Sequence, residues 1–257
     1  MILHYDIAEL TPYINWPYFY FAWQLRQTEE QERMRREAEQ FLLEQQGRYR
    51  AHAVFELFDA HGEGDDIVVD GFVLPMLRQQ KGSPCLCLAD FVSPEQDRVG
   101  VFATSADIGL ETDFDADPYQ KMMAQLLADR LAEAAAERMH EEVRKHYCGY
   151  AADEQLSMQD LHAEHFQGIR PAVGYPSLPD TSLNFLLDRL LDMKQIGIRL
   201  TESGAMRPNA SVSGLMLAHP AARYFALGKI GHDQLADYAR RRGLPVEVMR
   251  KFLAANL

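Results

Sequence analysis

A chain of 257 residues, 47% apolar and 25% charged, is long enough for a sizeable core and has the composition of a globular rather than a disordered protein. Its 38 acidic residues outnumber 26 basic ones, and a formal charge of −12 repels phosphate backbones, which argues against a nucleic-acid surface. No apolar run of about eighteen residues is present to cross a membrane, and Met1 is followed by neither a basic leader nor a long apolar segment. Cys85, Cys87 and Cys148 make no disulfide framework and no Cys-x-x-Cys pair, so they read as reduced thiols of a cytoplasmic protein.

The first stretch is aromatic: Tyr13, Trp16, Tyr18, Phe19, Tyr20, Phe21 and Trp23. Residues 28–50 are charged, with Met34, Ala38, Phe41 and Leu42 at helical spacing, which predicts a surface helix. Four β-like runs follow, at 53–58, 67–69, 85–91 and 99–103. The clearest element starts at Asp117-Pro-Tyr-Gln120, with Asp as cap, Pro at the first helical position and Gln120 able to complete a capping box. Apolar residues then recur from Tyr119 through Leu127, Leu131, Ala135 and Met139 to Val143, a helical period over about eight turns.

Residues 157–164 predict a short helix and 181–195 another, separated by a Pro/Gly-rich loop at 168–179. Two strands near 210–217 and 223–230 flank a turn at His219-Pro220. Two helices close the chain, with Gly243 as a stop and Pro245 as a restart. The densest basic run, Arg240-Arg241-Arg242, falls at a helix end, where it suits the negative end of the dipole. Strands and helices partly segregate, so the expected class is α+β, as a single domain over 1–257 with residues 1–10 a short lead-in.

Several motifs lack the context their chemistry needs. Asp59-Ala-His61-Gly-Glu-Gly64 spells a cobalt-ligand pattern without a βα setting or a Gly-Gly pair, and reads as a polar hairpin-like turn. Glu137-Arg-Met-His140 has di-iron spacing but no second copy, and reads as an exposed or hydrogen-bonded helix face. His162 and His165 lack a third ligand, and no nucleophile elbow, P-loop or dinucleotide fingerprint occurs. The inventory holds no self-contained catalytic machine. What remains is Arg170-Pro-Ala-Val-Gly-Tyr-Pro176, a loop stiffened by two prolines. Its arginine offers a fork for a carboxylate and its tyrosine an aromatic face, which suits an amino-acid-like or anionic ligand; on spacing alone, a structural turn fits equally.

That loop resembles the Arg-Pro-Ala-x-Gly-Tyr-Pro signature of the activation domain of cobalamin-dependent methionine synthase. Tyr13-Ile-Asn-Trp16-Pro-Tyr-Phe19, Gly64-Asp-Asp-Ile67, Cys87-Leu-Ala-Asp-Phe91 and Ala128-Asp-Arg-Leu-Ala-Glu133 also resemble family blocks. So do Leu200-Thr-Glu202, Ala210-Ser-Val-Ser-Gly214, Arg223-Tyr-Phe225 and Asp233-Gln234, in family order to the C-terminus. The resemblance implies a C-shaped α+β domain with a twisted antiparallel sheet and flanking helices, binding S-adenosylmethionine along its inner surface.

In that family a reductant such as flavodoxin supplies an electron to inactive cob(II)alamin, and S-adenosylmethionine supplies the methyl group that regenerates methylcobalamin. The resemblance assigns Arg170 to the ligand carboxylate, places Ala172, Gly174 and Tyr175 on the site, and makes Tyr224 and Phe225 a further wall. Glu133 and Glu164 match acidic positions near it. Asn15 stands where the family has aspartate, which predicts weaker binding of a cationic ligand. Thr181-Ser-Leu-Asn184 replaces a family His-Thr-Glu-Lys and alters the expected polar contacts at the mouth facing the cobalamin module. The expected partner is the cobalamin-binding module of a methionine synthase lacking this domain, or another corrinoid protein, with this chain a separate, non-autonomous subunit. Asn15 and the missing histidine also motivate a second reading, a scaffold of a corrinoid methyltransferase complex that keeps the fold without the ligand. A stand-alone methyltransferase is a third reading, and no candidate base supports it.

Overall fold

The computed structural model describes residues 1–257. Its strands are β1 (Ile2–Asp6), β2 (Arg50–Glu63), β3 (Asp66–Val69), β4 (Phe72–Pro75), β5 (Asp97–Ala106), β6 (Arg199–Leu200), β7 (Met206–Arg207) and β8 (Ser211–Leu217). Six of them form one antiparallel sheet in the order β4-β3-β2-β5-β8, with β1 also on β2; β6 and β7 make a separate ribbon. β2 is long enough to serve two partners on one edge, β1 along Arg50–Val54 and β3 along Ala60–Glu63, while its other edge carries β5.

Both faces of this sheet are covered, and the period of two decides which residue goes where. Ala51, Ala53 and Phe55 of β2, Phe102 and Ala106 of β5, and Val212 and Met216 of β8 enter one core. Their neighbours Val54, Val99, Val101, Ala103, Leu215 and Leu217 enter the other. That is why β5 is buried at eight successive positions. A side chain such as Phe102, fully enclosed, contributes about 2 kcal/mol by leaving water.

The helices are α1 (Ile7–Leu10), α2 (Trp16–Ala22), α3 (Thr28–Glu44), α4 (Gly109–Thr112), α5 (Pro118–Glu142), α6 (Met158–His162), α7 (Asn184–Leu191), α8 (His232–Arg242) and α9 (Val246–Phe252). α5 is the spine. The Asp117 side chain accepts from the backbone of Tyr119 and Gln120, although Gln120 does not return the bond of a full capping box. Ala124, Ala128, Ala132 and Ala136, four residues apart and all fully buried, form a smooth ridge. The ridge lets α5 approach so closely that the Thr104 hydroxyl of β5 donates to the Ala132 carbonyl at 2.9 Å. A π-helical turn, Val143–Tyr147, ends the helix.

The α+β architecture and its curled antiparallel sheet agree with the sequence expectation. Several local expectations are corrected. Residues 85–91 are not a strand: Asp90 accepts from the Cys87 backbone N–H at 2.8 Å and is held by Arg78, so Leu88–Phe91 coils into a 3-10 turn. Residues 223–230 form no strand and join no ladder: Leu227 N–H donates to Pro176 and Ile230 N–H to Asn256, and Gly228 turns at φ of +76°. The motif around His61 does belong to a hairpin, but most of it is strand: Asp59–Glu63 lie within β2, and Gly64 with Asp65 makes the turn into β3 at Asp66. The helix expected over 181–195 is broken at Asp192, which adopts a left-handed conformation. The first ten residues supply β1 and α1. Arg240-Arg241-Arg242 does end α8, and Arg241 pairs with Asp66 while Arg242 donates to Ser182 and sits 3.4 Å from Asp180.

Candidate ligand-binding site

The loop singled out in the sequence runs along the free edge of β8. Ile169 exchanges backbone bonds with Leu217, Leu215 N–H donates to Pro171 and Val173 N–H to Ser213. Such contact requires Gly214, since a Cβ there would lie 2.2 Å from the Pro171 carbonyl oxygen. Beyond Val173 the backbone turns at Gly174, with φ of +90°, whose N–H donates to Leu178 at 2.8 Å. The turn throws Tyr175 outward, half exposed, over a cleft of about 610 Å3.

Five segments wall the cleft. α5 contributes Arg130, Glu133 and Glu137, spaced three and four residues apart and so on one flank. The loop contributes Arg170, Ala172 and Tyr175; the start of α2 contributes Asn15 and Tyr18; the end of α6 contributes His162 and Glu164. Tyr224 and Phe225 close the remaining side from the irregular segment that leans on the loop. The structure thus gathers eight of the nine sequence-selected residues, from Asn15 to Phe225, around one cavity of ligand size. Gly174 is not on the wall; it shapes the turn beneath Tyr175.

Arg170 is held tightly. Its backbone N–H donates to the Tyr224 hydroxyl at 2.9 Å, and its Nη2 lies 3.2 Å from Glu137 Oε2. Burial works against the Arg170 cation, but Glu137, Tyr224 and Glu133 outweigh it and raise its pKa above the ordinary value. Across the mouth, the Tyr175 hydroxyl donates to Glu133 Oε1. Burial, opposed by Arg170, raises the pKa of Glu164, whose backbone sits at φ of +59°. Asn15 precedes α2 without capping it, which leaves its side-chain amide for the cleft. Electrostatically the cavity combines two guanidinium groups with three carboxylates, suited to a ligand bearing both a carboxylate and positive charge.

Sequence reasoning missed Tyr13, Tyr18, Arg130, Glu137 and His162 as cleft residues. Of the two face readings for Glu137 and His140, the hydrogen-bonded one holds, and His140 is fully buried. The replaced segment 181–184 is no polar mouth: Ser182 and Asn184 are buried, and Asn184 bonds Gly204 at 2.8 Å and Ser213 at 2.5 Å. His162 is 3.1 Å from the Tyr13 carbonyl and His165 lies by Asp160, and no group of three or more His, Cys, Asp or Glu side chains is placed to hold a metal ion.

Comparison with known proteins agrees with this architecture. A crystal structure of the MetH reactivation domain bound to AdoHcy is similar over 100% of this chain and 90% of its own, at 38% identity and a TM-score of 0.93. Residues 6–243 match the family described as vitamin B12 dependent methionine synthase, activation domain. With that match spanning nearly its whole length, the chain belongs to the activation-domain family of vitamin B12-dependent methionine synthases.

Proposed function

We propose that the chain binds S-adenosylmethionine in this cleft and presents its methyl group for reductive methylation of cob(II)alamin on a partner methionine synthase. The observation that carries the reading is the charge arrangement: a largely enclosed Arg170 fork with Glu133, Glu137 and Glu164 around one cavity. S-adenosylmethionine has a carboxylate for the guanidinium, and an ammonium and a sulfonium for the carboxylates. The Tyr224 ring offers a face for the sulfonium, a cation–π contact of about 0.5–2 kcal/mol. AdoHcy, which the similar reactivation domain binds, is the demethylated form of the same molecule.

The chemistry asks little of the protein beyond placement. With one electron from flavodoxin or a similar reductant, the methyl carbon passes from sulfur to the reduced cobalt, and the C–S bonding pair stays on a now neutral thioether. No proton moves, so no general base is required, in keeping with a cleft that offers orientation and charge. The cobalamin is carried by the partner, a methionine synthase module lacking this domain or another corrinoid protein.

Isothermal titration calorimetry of the protein with S-adenosylmethionine, beside Arg170→Ala, tests the reading. Saturable binding lost in the variant supports it, as does restored turnover of an oxidised cobalamin-dependent methionine synthase upon addition of the chain. Absence of heat at two temperatures together with no thermal stabilisation favours the ligand-free scaffold.

A further inference from the structure

Behind Arg170, on the side away from the cleft, lies a buried cluster that the binding reading does not use. His140 of α5 is fully enclosed, and its Nδ1 is 3.0 Å from Arg144 Nη1 and 3.3 Å from Arg170 Nη1. Guanidinium nitrogens only donate, so Nδ1 must present a lone pair to both. The ring is therefore neutral with its proton on Nε2. Burial, then the charges of Arg170 and Arg144, push the His140 pKa well below its usual value, in agreement with that geometry.

Arg144 is anchored independently. Fully buried within the π-helical turn, it bonds both oxygens of Glu154, at 2.7 to 3.2 Å, and stacks over Phe166 at 4.1 Å. The Phe166 ring meets His140 edge-on. The Nε2–H of His140 has no partner, which is unfavourable for a buried donor. The imidazole contributes through its other nitrogen: with Glu137 one turn earlier on α5, it supplies the second of two acceptors that grip the two terminal nitrogens of Arg170.

We propose that His140 is the positioning residue for Arg170: locked as the neutral Nε2–H tautomer by Arg144, it fixes the guanidinium fork that receives the carboxylate of the ligand. This rests on the proposed S-adenosylmethionine site for the identity of the ligand, and on the geometry alone for the tautomer and the grip.

Two variants and two ligands separate positioning from a merely structural role. His140→Leu keeps much of the volume and removes the acceptor, whereas His140→Asn places an amide oxygen near the position of Nδ1. Calorimetry would compare AdoHcy with methylthioadenosine, which lacks the amino-acid portion that Arg170 would hold. His140→Leu should weaken AdoHcy about tenfold and methylthioadenosine less than about twofold, with most of the loss recovered in His140→Asn. Equal weakening of both ligands, or none, would overturn the proposal. Nitrogen-15 spectra of the imidazole and guanidinium groups supply a ligand-free readout. The proposal requires a non-titrating Nε2–H tautomer in the wild type and loss of restrained Arg170 Nη signals in His140→Leu. If those signals behave so while wild type binds neither ligand, the positioning stands and the ligand assignment fails; if they persist in His140→Leu, the positioning fails. Should His140→Leu not fold, the imidazole tautomer and the His140→Asn affinities decide: an Nδ1–H ring, or a large loss selective for AdoHcy in that variant, overturns the proposal.

Discussion

Tyr175 and Glu133 meet across the mouth of the cleft, the phenol donating to the carboxylate at 2.5 Å. One belongs to the tip of a loop tied to β8 and the other to the spine helix, so this bond closes at the mouth two walls that Arg170 also ties together deeper in, through Glu137 and His140. Burial and the Glu133 charge raise the pKa of Tyr175, which keeps the phenol protonated and the bond intact at neutral pH.

Replacing Tyr175 by Phe removes the bridge while keeping the ring. Stability should change by less than about 1 kcal/mol, because Glu133 remains accessible to water. Ligand association and release should both accelerate, read by stopped-flow with AdoHcy, and unchanged rates would show that the bond does not govern entry.

Asn15→Asp places a negative charge on the α2 side of the cleft proposed to take the cationic ligand. Affinity for S-adenosylmethionine should rise several-fold, corresponding to about 1 kcal/mol for a charge-assisted contact. An unchanged dissociation constant would show that charge at this position does not reach the ligand.

Gly214→Ala drives a methyl group into the Pro171 carbonyl and the Ala172 Cα. The loop must leave β8, with an expected loss of about 1–3 kcal/mol in urea unfolding and a parallel loss of ligand affinity as Arg170 shifts. A variant with wild-type stability and affinity would mean that the loop is not seated by this contact.

Asp129 of α5 gives a pH signature. Burial pushes its carboxyl up to about 6, opposed by Arg130 and reinforced by Glu111 and Glu133. Because the folded value lies above the unfolded one, the folded state binds the extra proton. Its contribution to stability is full below about pH 4 and is lost as pH rises to about 6. Asp129→Asn should therefore flatten the stability profile in that window and raise stability near neutrality, by at most about 3 kcal/mol. Denaturation midpoints at pH 4.5 and 7 measure it, and an identical pH slope in both proteins would contradict the assignment.

α5 was legible in the sequence because three independent signals coincide there: an Asp-Pro start, a helical apolar period and length. β5 was legible as a short apolar run, but β2 showed only its middle, since polar residues such as His52, Asp59 and His61 interrupt it while still pairing with β5 and β3. Residues 223–230 have the composition of a strand, yet the free edge of β8 is already taken by the 168–179 loop, against which Leu227 bonds instead. The loop itself stood out through Pro, Gly and Arg, whereas Glu137 and His140 did not. Charged positions on a helix default to solvent in any sequence reading, and only the fold shows that Arg170 arrives from thirty-odd residues later to bury them. The alanine spacing at 124, 128, 132 and 136 was the available clue that α5 is enclosed on more than one side.

That alanine ridge also acts as a spacer. The stand-off between α5 and the sheet is fixed by single methyl groups at Ala128 and Ala132 and by the Thr104 bond to the helix backbone. Glu133 and Glu137 ride on the same rigid rod, while Tyr175 and Arg170 are fastened to β8. The bore of the cleft is therefore calibrated from inside the core, and thickening a residue that never meets the ligand would move two carboxylates relative to their guanidinium.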